Sequence, residues 1–221
     1  MADPWAFGWT QVLTLAGFAI TVVIAVGGFR TFGRWRHEKL EERRIEIAFD
    51  ALTIAHETQF VFQNIRSALA EGYEWGDMPQ WEGDTEDKRN RRGPYYATVK
   101  RINANSKFFE RVWGIQPRCM ALFGQRTEQT FMKLHQARRH IEVAAQMLAQ
   151  RDNDEHHEGG EDTRKLYEQL RRDVWDHGGF EPELDRVGRL LKEFVSETIA
   201  FAEPVIAQQY RPIRLRWWRR P

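Results

Sequence analysis

The chain has 221 residues, with 33 Lys and Arg against 32 Asp and Glu, and 42% of its residues are hydrophobic. The near-zero balance excludes a global field steering the protein to nucleic acid or to an acidic partner, and the apolar fraction excludes a wholly disordered chain. The single cysteine, Cys119, excludes an internal disulfide and any multi-cysteine zinc or iron–sulfur centre, and it fits a reducing compartment.

From Pro4 to Phe29 no residue is charged, a run of 26 positions bounded by Asp3 and Arg30. About 20 helical residues cross the ~30 Å hydrocarbon layer, so residues 12–29 are expected to form a transmembrane helix after a short external N-terminus, 1–11. Trp5 and Trp9 stand at one end and Trp35 at the other, where indoles prefer the headgroup zone. A buried core helix seldom runs this long without charge. A cleaved signal peptide needs a positive leader, and no Lys or Arg precedes the run. Six basic residues follow it: Arg30, Arg34, Arg36, Lys39, Arg43 and Arg44. By the positive-inside rule the N-terminus is outside and the bulk of the chain cytoplasmic. The membrane-interface residues are then Trp5, Trp9, Arg30, Arg34, Trp35 and Arg36. Gly17, Thr21 and Ala25 recur every four residues and form a candidate helix-association face.

Residues 30–70 continue as a juxtamembrane amphipathic helix. Ile45, Ala48, Leu52, Ala55, Phe62, Ile65 and Leu69 follow spacings near three and four. Gly27, Gly28 and Gly33 predict a kink or soft joint. Residues 71–93 are glycine-rich, with a mixed-charge run from Asp84 to Arg92 whose signs nearly cancel, and predict a solvated, mobile loop. Residues 94–210 hold the remaining helices. The first starts at Pro94, a favoured first-turn residue, carries Tyr95, Val99, Ile102, Phe109 and Val112, and ends at Gly114 and Pro117. Asn103, Asn105 and Ser106 within it face water or cap a break. The next starts near Thr127 and carries Phe131, Leu134, Ile141, Ala145 and Leu148, with Arg138 on the same stripe sending its head to solvent. A second loop spans 151–162. Another helix covers about 163–176 on Leu166, Leu170 and Val174. The last opens at Glu181-Pro182-Glu183 and carries Leu184, Val187, Leu191, Phe194, Thr198, Phe201 and Val205, a coiled-coil-like heptad. The fold class is therefore all-α: one N-terminal transmembrane helix continuing into a cytoplasmic bundle of about five helices.

Chemistry-bearing motifs are sparse. There is no G-x-x-x-x-G-K-[ST], no G-x-G-x-x-G and no serine between glycines. His56-Glu57 lacks the second histidine of a zincin, because Phe60 stands in its place. His135 and His140 point roughly 140° apart on a helix. Asp154, His156, His157 and Glu158 supply ligand types without a recognised spacing. Arg118 beside Cys119 can lower a thiol pKa, against the alternative of a buried structural cysteine. No catalytic residue, metal site or cofactor is expected. The tail 211–221 is distinct: Arg211, Arg214, Arg216, Trp217, Trp218, Arg219 and Arg220 suit lipid phosphates, a protein partner or, least favoured, a nucleic-acid backbone. If five helices alternate strictly up and down, the last ends away from the bilayer and carries the tail with it.

Trp35-Arg-His-Glu-Lys39, followed by Glu42-Arg-Arg-Ile-Glu46, resembles the W-R-x-E-K junction of a group of uncharacterised bacterial single-pass membrane proteins. Val99-Lys-Arg-Ile-Asn103, Phe108-Phe-Glu110, and Gln116-Pro117 leading to Leu122-Phe-Gly124 extend the similarity over most of the chain. It implies an inner-membrane anchor and a helical cytoplasmic domain, and it transfers no activity. The expected function is a membrane-anchored interaction or scaffold protein without catalysis of its own, with membrane lipid and a protein partner or a second copy as its contacts. The alternatives are a helical-bundle enzyme with an unrecognised site and a tether for nucleic acid.

Overall fold

The computed structural model describes residues 8–81, 83–150, 160–176 and 184–209. The fold is all-α, one long apolar N-terminal helix followed by a helical bundle. Helix α1 covers Trp9–Ile65, a 3-10 turn covers Gly72–Trp75, and α2 to α6 cover Glu86–Ala104, Ser106–Phe123, Arg126–Gln150, Glu161–Val174 and Arg186–Gln209. The chain divides into two compact units, Met1–Glu46 and Ile47–Pro221.

In the first unit, α1 is unbroken at Gly27, Gly28 and Gly33, where a kink was expected. Thr21 and Thr31 donate their hydroxyls to the carbonyls of Gly17 and Gly27, both at 2.9 Å, so these polar groups are satisfied within the helix. The most apolar 18-residue window has a mean hydropathy of 2.3, and none of it is buried.

The second unit begins at Ile47 and has four columns. The first is α1 from Ile47 to Ile65. The second is α2 followed by α3, running antiparallel to it: Arg101 donates to the Ser67 carbonyl (2.9 Å), Arg111 pairs with Glu57, and Arg118 reaches Asp50 (3.3 Å). The third is α4. The fourth is α5 followed by α6, antiparallel to α4: Asp173 at the end of α5 binds Arg186 at the start of α6, while Thr130 and Lys133 of α4 bind Glu197 and Glu193. Two cores stack along these columns. One joins Ile54, Phe62 and Ile65 of α1 to Phe109, Phe131 and Phe194. The other joins Tyr95 to Leu148, Tyr167, Leu170 and Val174. Helix α4 contributes to both.

Several boundaries differ from expectation. Helix α1 ends at Ile65, before Leu69, which is exposed. Helix α2 starts at Glu86, eight residues before Pro94, because Thr85 caps it by accepting the Lys88 N–H and Glu86 and Asp87 fill the first turn. Pro94 therefore lies inside the helix. The expected loop 71–93 is in part this helix. The stretch before it is held down by α2: Arg101 binds Glu74, Lys100 binds Asp77, Arg89 donates to the Gly76 carbonyl, and Arg92 pairs with Asp84 while stacking over Trp81. Gly93 is required there, since a Cβ would collide with the Trp75 indole.

The break falls at Asn105, whose Nδ2 donates to the Arg101 carbonyl (2.9 Å), so α3 is a separate helix. It passes through Gly114 and Pro117, which were expected to end it, and stops at Gly124, whose φ of +90° favours glycine. Leu166 and Leu184 are exposed, and Tyr167 takes the buried place on α5. Arg138 does not reach outward: its guanidinium lies over the Phe109 ring at 4.4 Å and over Trp113 at 5.3 Å.

Candidate functional site

Arg66 follows the last residue of α1 and is 3% exposed. Its Nη1 and Nη2 donate to the two carboxylate oxygens of Asp185 at 2.9 and 3.0 Å, and Nη2 also donates to the carbonyls of Arg172 (2.8 Å) and Trp175 (3.0 Å). The Arg66 carbonyl accepts the Asp176 N–H. One side chain thus joins the end of α1, the end of α5 and the start of α6. Asp185 serves twice, because its carboxylate also accepts the Gly188 N–H and caps α6.

Above this pair a groove of about 460 Å³ opens between α1 and α6. Phe62, Leu191, Val195 and Ile199 give it apolar walls, and Gln59, Gln63, Lys192 and Ser196 stand among the polar lining residues. The hydroxyls that line it are engaged by their own helices: Thr58 donates to the Ile54 carbonyl (2.7 Å) and Ser196 to the Glu193 carbonyl (3.1 Å). The groove is thus apolar in its walls and polar at its edge.

Other titratable groups are placed structurally. Cys119 is buried, and burial pushes its thiol up to about 12, with the Arg118 cation opposing weakly. His135 accepts from the Trp113 indole (3.3 Å) and its other nitrogen meets Gln116 (2.9 Å), while burial depresses its pKa. Burial also depresses His140, which feels Arg186 and Asp173 nearby. Among the described residues no group of three or more His, Cys, Asp or Glu can hold a metal ion. His156 and His157 lie outside the described residues.

The membrane-interface candidates fall on an exposed helix. Trp9 and Trp35 are exposed, and the Trp35 ring stands 5.8 Å from Phe32. Arg30, Arg34 and Arg36 are exposed and have no ion-pair partner among the described residues. The following three cations differ: Lys39, Arg43 and Arg44 pair with Glu42, Glu46 and Glu41 at 2.5, 3.0 and 3.8 Å. Free positive charge is therefore concentrated next to the span. Gly17, Thr21 and Ala25 lie on exposed helix with open space at Gly17. Trp5 and the tail residues Arg211, Arg214, Arg216, Trp217, Trp218, Arg219 and Arg220 lie outside the described residues.

Sequence pattern did not single out Arg66, Asp185, Asp173 or Arg101. Asp185 carried a usable signal, an acid three residues before Gly188 at the opening of a periodic apolar run, which is cap spacing. Arg66 carried none, since an arginine after a helix normally faces water. Comparison with protein-family models, with curated proteins and with solved structures returns no match.

The chain is thus a membrane-associated helical protein: one apolar N-terminal helix able to span a bilayer, and a salt-bridged helical bundle.

Proposed function

We propose that the protein is a single-pass anchor for a cytoplasmic interaction module of a bacterial inner membrane, without catalytic activity of its own. The observation that carries the anchor is the wholly exposed apolar window of α1, which no other described part of the chain covers. Lipid is the solvent that such a surface requires. The unpaired Arg30, Arg34 and Arg36 follow the span and support an external N-terminus. The bundle side of the reading rests on the α1–α6 groove, whose apolar walls fit the face of an amphipathic helix from another membrane protein. Confinement to the bilayer raises the effective concentration of such a partner.

Two measurements test this. The full chain should sediment with membranes, resist high salt and alkali, and dissolve in detergent, with the bundle shielded from protease added outside spheroplasts. A photo-crosslinker at Gln63, in the groove, should trap one defined protein in cells, and Ser196→Trp should abolish the adduct by filling the groove. Equal trapping from Glu168, on the exposed face of α5, would remove the groove from the proposal.

A further inference from the structure

Helices α3 and α4 meet along a seam that carries a cross-helix contact through one imidazole. Trp113 on α3 is 50% exposed, and its indole Nε1 donates to His135 Nδ1 on α4 at 3.3 Å. A nitrogen that accepts carries no proton, so the ring's proton sits on Nε2 and is donated to the Gln116 side-chain oxygen at 2.9 Å. Gln116 lies three residues past Trp113 on the same helix. Neutral His135 thus ties α3 to α4 through both of its nitrogens, one as acceptor and one as donor.

Protonation changes only one of those bonds. In the imidazolium both nitrogens donate. Nε2 keeps its bond to Gln116, whereas Nδ1–H meets the indole N–H, donor against donor. The contact does not convert into a cation–π pair where it stands, because the hydrogen bond puts the imidazole at the indole's electropositive edge and not over its face. The surroundings oppose a second charge. Arg138, on α4 three residues beyond His135, lays its guanidinium over the Phe109 and Trp113 rings at 4.4 and 5.3 Å. Among the charged side chains of α3, Arg111 and Arg118 are held by Glu57 and Asp50 of α1, and the exposed Glu110 forms no ion pair among the described residues. On α4, Arg139 is exposed and Glu142 forms no ion pair among the described residues. Burial, and then the Arg138 charge, hold the His135 pKa below its ordinary 6.5, so above that value the ring is neutral and both bonds are made.

We propose that His135 is a proton-operated latch: neutral, it clips the Trp113 indole into the α3–α4 seam, and protonated, it releases the indole while Gln116 stays bound. Because Trp113 is half exposed, it can swing into water without opening a void among the buried rings of Phe109 and Phe131. Its departure takes the outer ring off Arg138, whose guanidinium has no carboxylate partner among the described residues. The seam then carries two cations, His135 and Arg138, in place of one cation under an aromatic cover. The latch is independent of the span and of the α1–α6 groove.

The test uses the full chain in detergent with isotope-labelled tryptophan and histidine, followed by nuclear magnetic resonance. Trp113→Phe and His135→Gln assign the two side chains by loss of their signals. From pH ~7.5 to ~4.5 the Trp113 indole N–H should leave its hydrogen-bonded position in one step, together with the His135 ring, at a midpoint below 6.5. In His135→Gln the Trp113 signal should stay constant over the same range. Arg138→Gln removes the neighbouring cation and should raise the midpoint, a shift that a purely structural role for His135 does not produce. A Trp113 signal that stays fixed while His135 titrates would overturn the proposal. So would a His135 that stays neutral to the lowest pH, a Trp113 titration that survives His135→Gln, or a step in which every tryptophan signal moves at once, which marks unfolding of the whole bundle.

Discussion

Replacing Arg66 by leucine removes four hydrogen bonds at one point while keeping an apolar stem in the same place. The side chains of Arg66 and Asp185 are 4% and 26% exposed, so the abandoned carboxylate is mostly, though not wholly, desolvated. Breaking a buried ion pair by deleting one partner costs about 3–5 kcal/mol, and the partial exposure of Asp185 places this case near 3 kcal/mol. For a bundle of this size each kcal/mol lowers Tm by about 2–4 °C, so thermal unfolding of the full chain in detergent should shift by about 6–12 °C. Asp185→Asn separates charge from capping, because asparagine can still accept the Gly188 N–H. The two substitutions made together should then cost less than the sum of the singles, with a coupling of about 2 kcal/mol. A shift below ~3 °C for Arg66→Leu, or strict additivity, would show that Arg66 is a bystander at this junction.

Gly93→Ala forces the Trp75 indole off α2 and should lower the denaturant midpoint by an amount equivalent to about 1–3 kcal/mol; with Trp75→Ala in the same chain the penalty should vanish, and a persistent penalty would place its cause in the helix itself. The 66–85 connector should detach in acid. Hydrogen bonding from Arg101 holds the Glu74 carboxyl below its ordinary value of 4.5, so its stabilisation is fully present above that value and is lost as pH falls through the lower folded-state value. The protection of Gly72–Met78 against hydrogen exchange, taken relative to the intrinsic rate at each pH, should therefore fall as the pH drops below 4.5, whereas Glu74→Gln should show weak protection that changes little across the same window.

The parts legible in the sequence are those written in apolar periodicity. The long apolar N-terminal helix is present, and the face of Ala48, Ala55, Phe62 and Ile65 and the stripe of Phe131, Leu134, Ile141 and Leu148 are buried where their spacing puts them, since burial of a helix face is a local, repeating property. Punctuation residues were less informative. Pro94, Gly114 and Pro117 lie inside helices that tertiary packing sustains, whereas the stop at Gly124 is a backbone requirement. The near-cancelling charges of 84–92 resemble a solvated tract, yet in the fold the cancellation is pairing, Arg92 with Asp84. Long-range pairs such as Arg66 with Asp185, 119 residues apart, leave no local trace, so the groove they close was not legible.

The consequence of the two broken columns is topological. Counting five helices as five alternating strokes sends the C-terminus away from the entry point. Asn105 divides the second column and the Trp175–Leu184 stretch divides the fourth, yet in each case the chain resumes in the same direction, so six helical segments make four strokes. An even number of strokes returns the chain to the end at which it entered. Breaking either column with a true reversal would give an odd number and carry the end of α6 to the far end of the bundle. The return of α6 to the entry end thus results from two interruptions that preserve direction, and from Arg66, which pins the second of them to the end of α1.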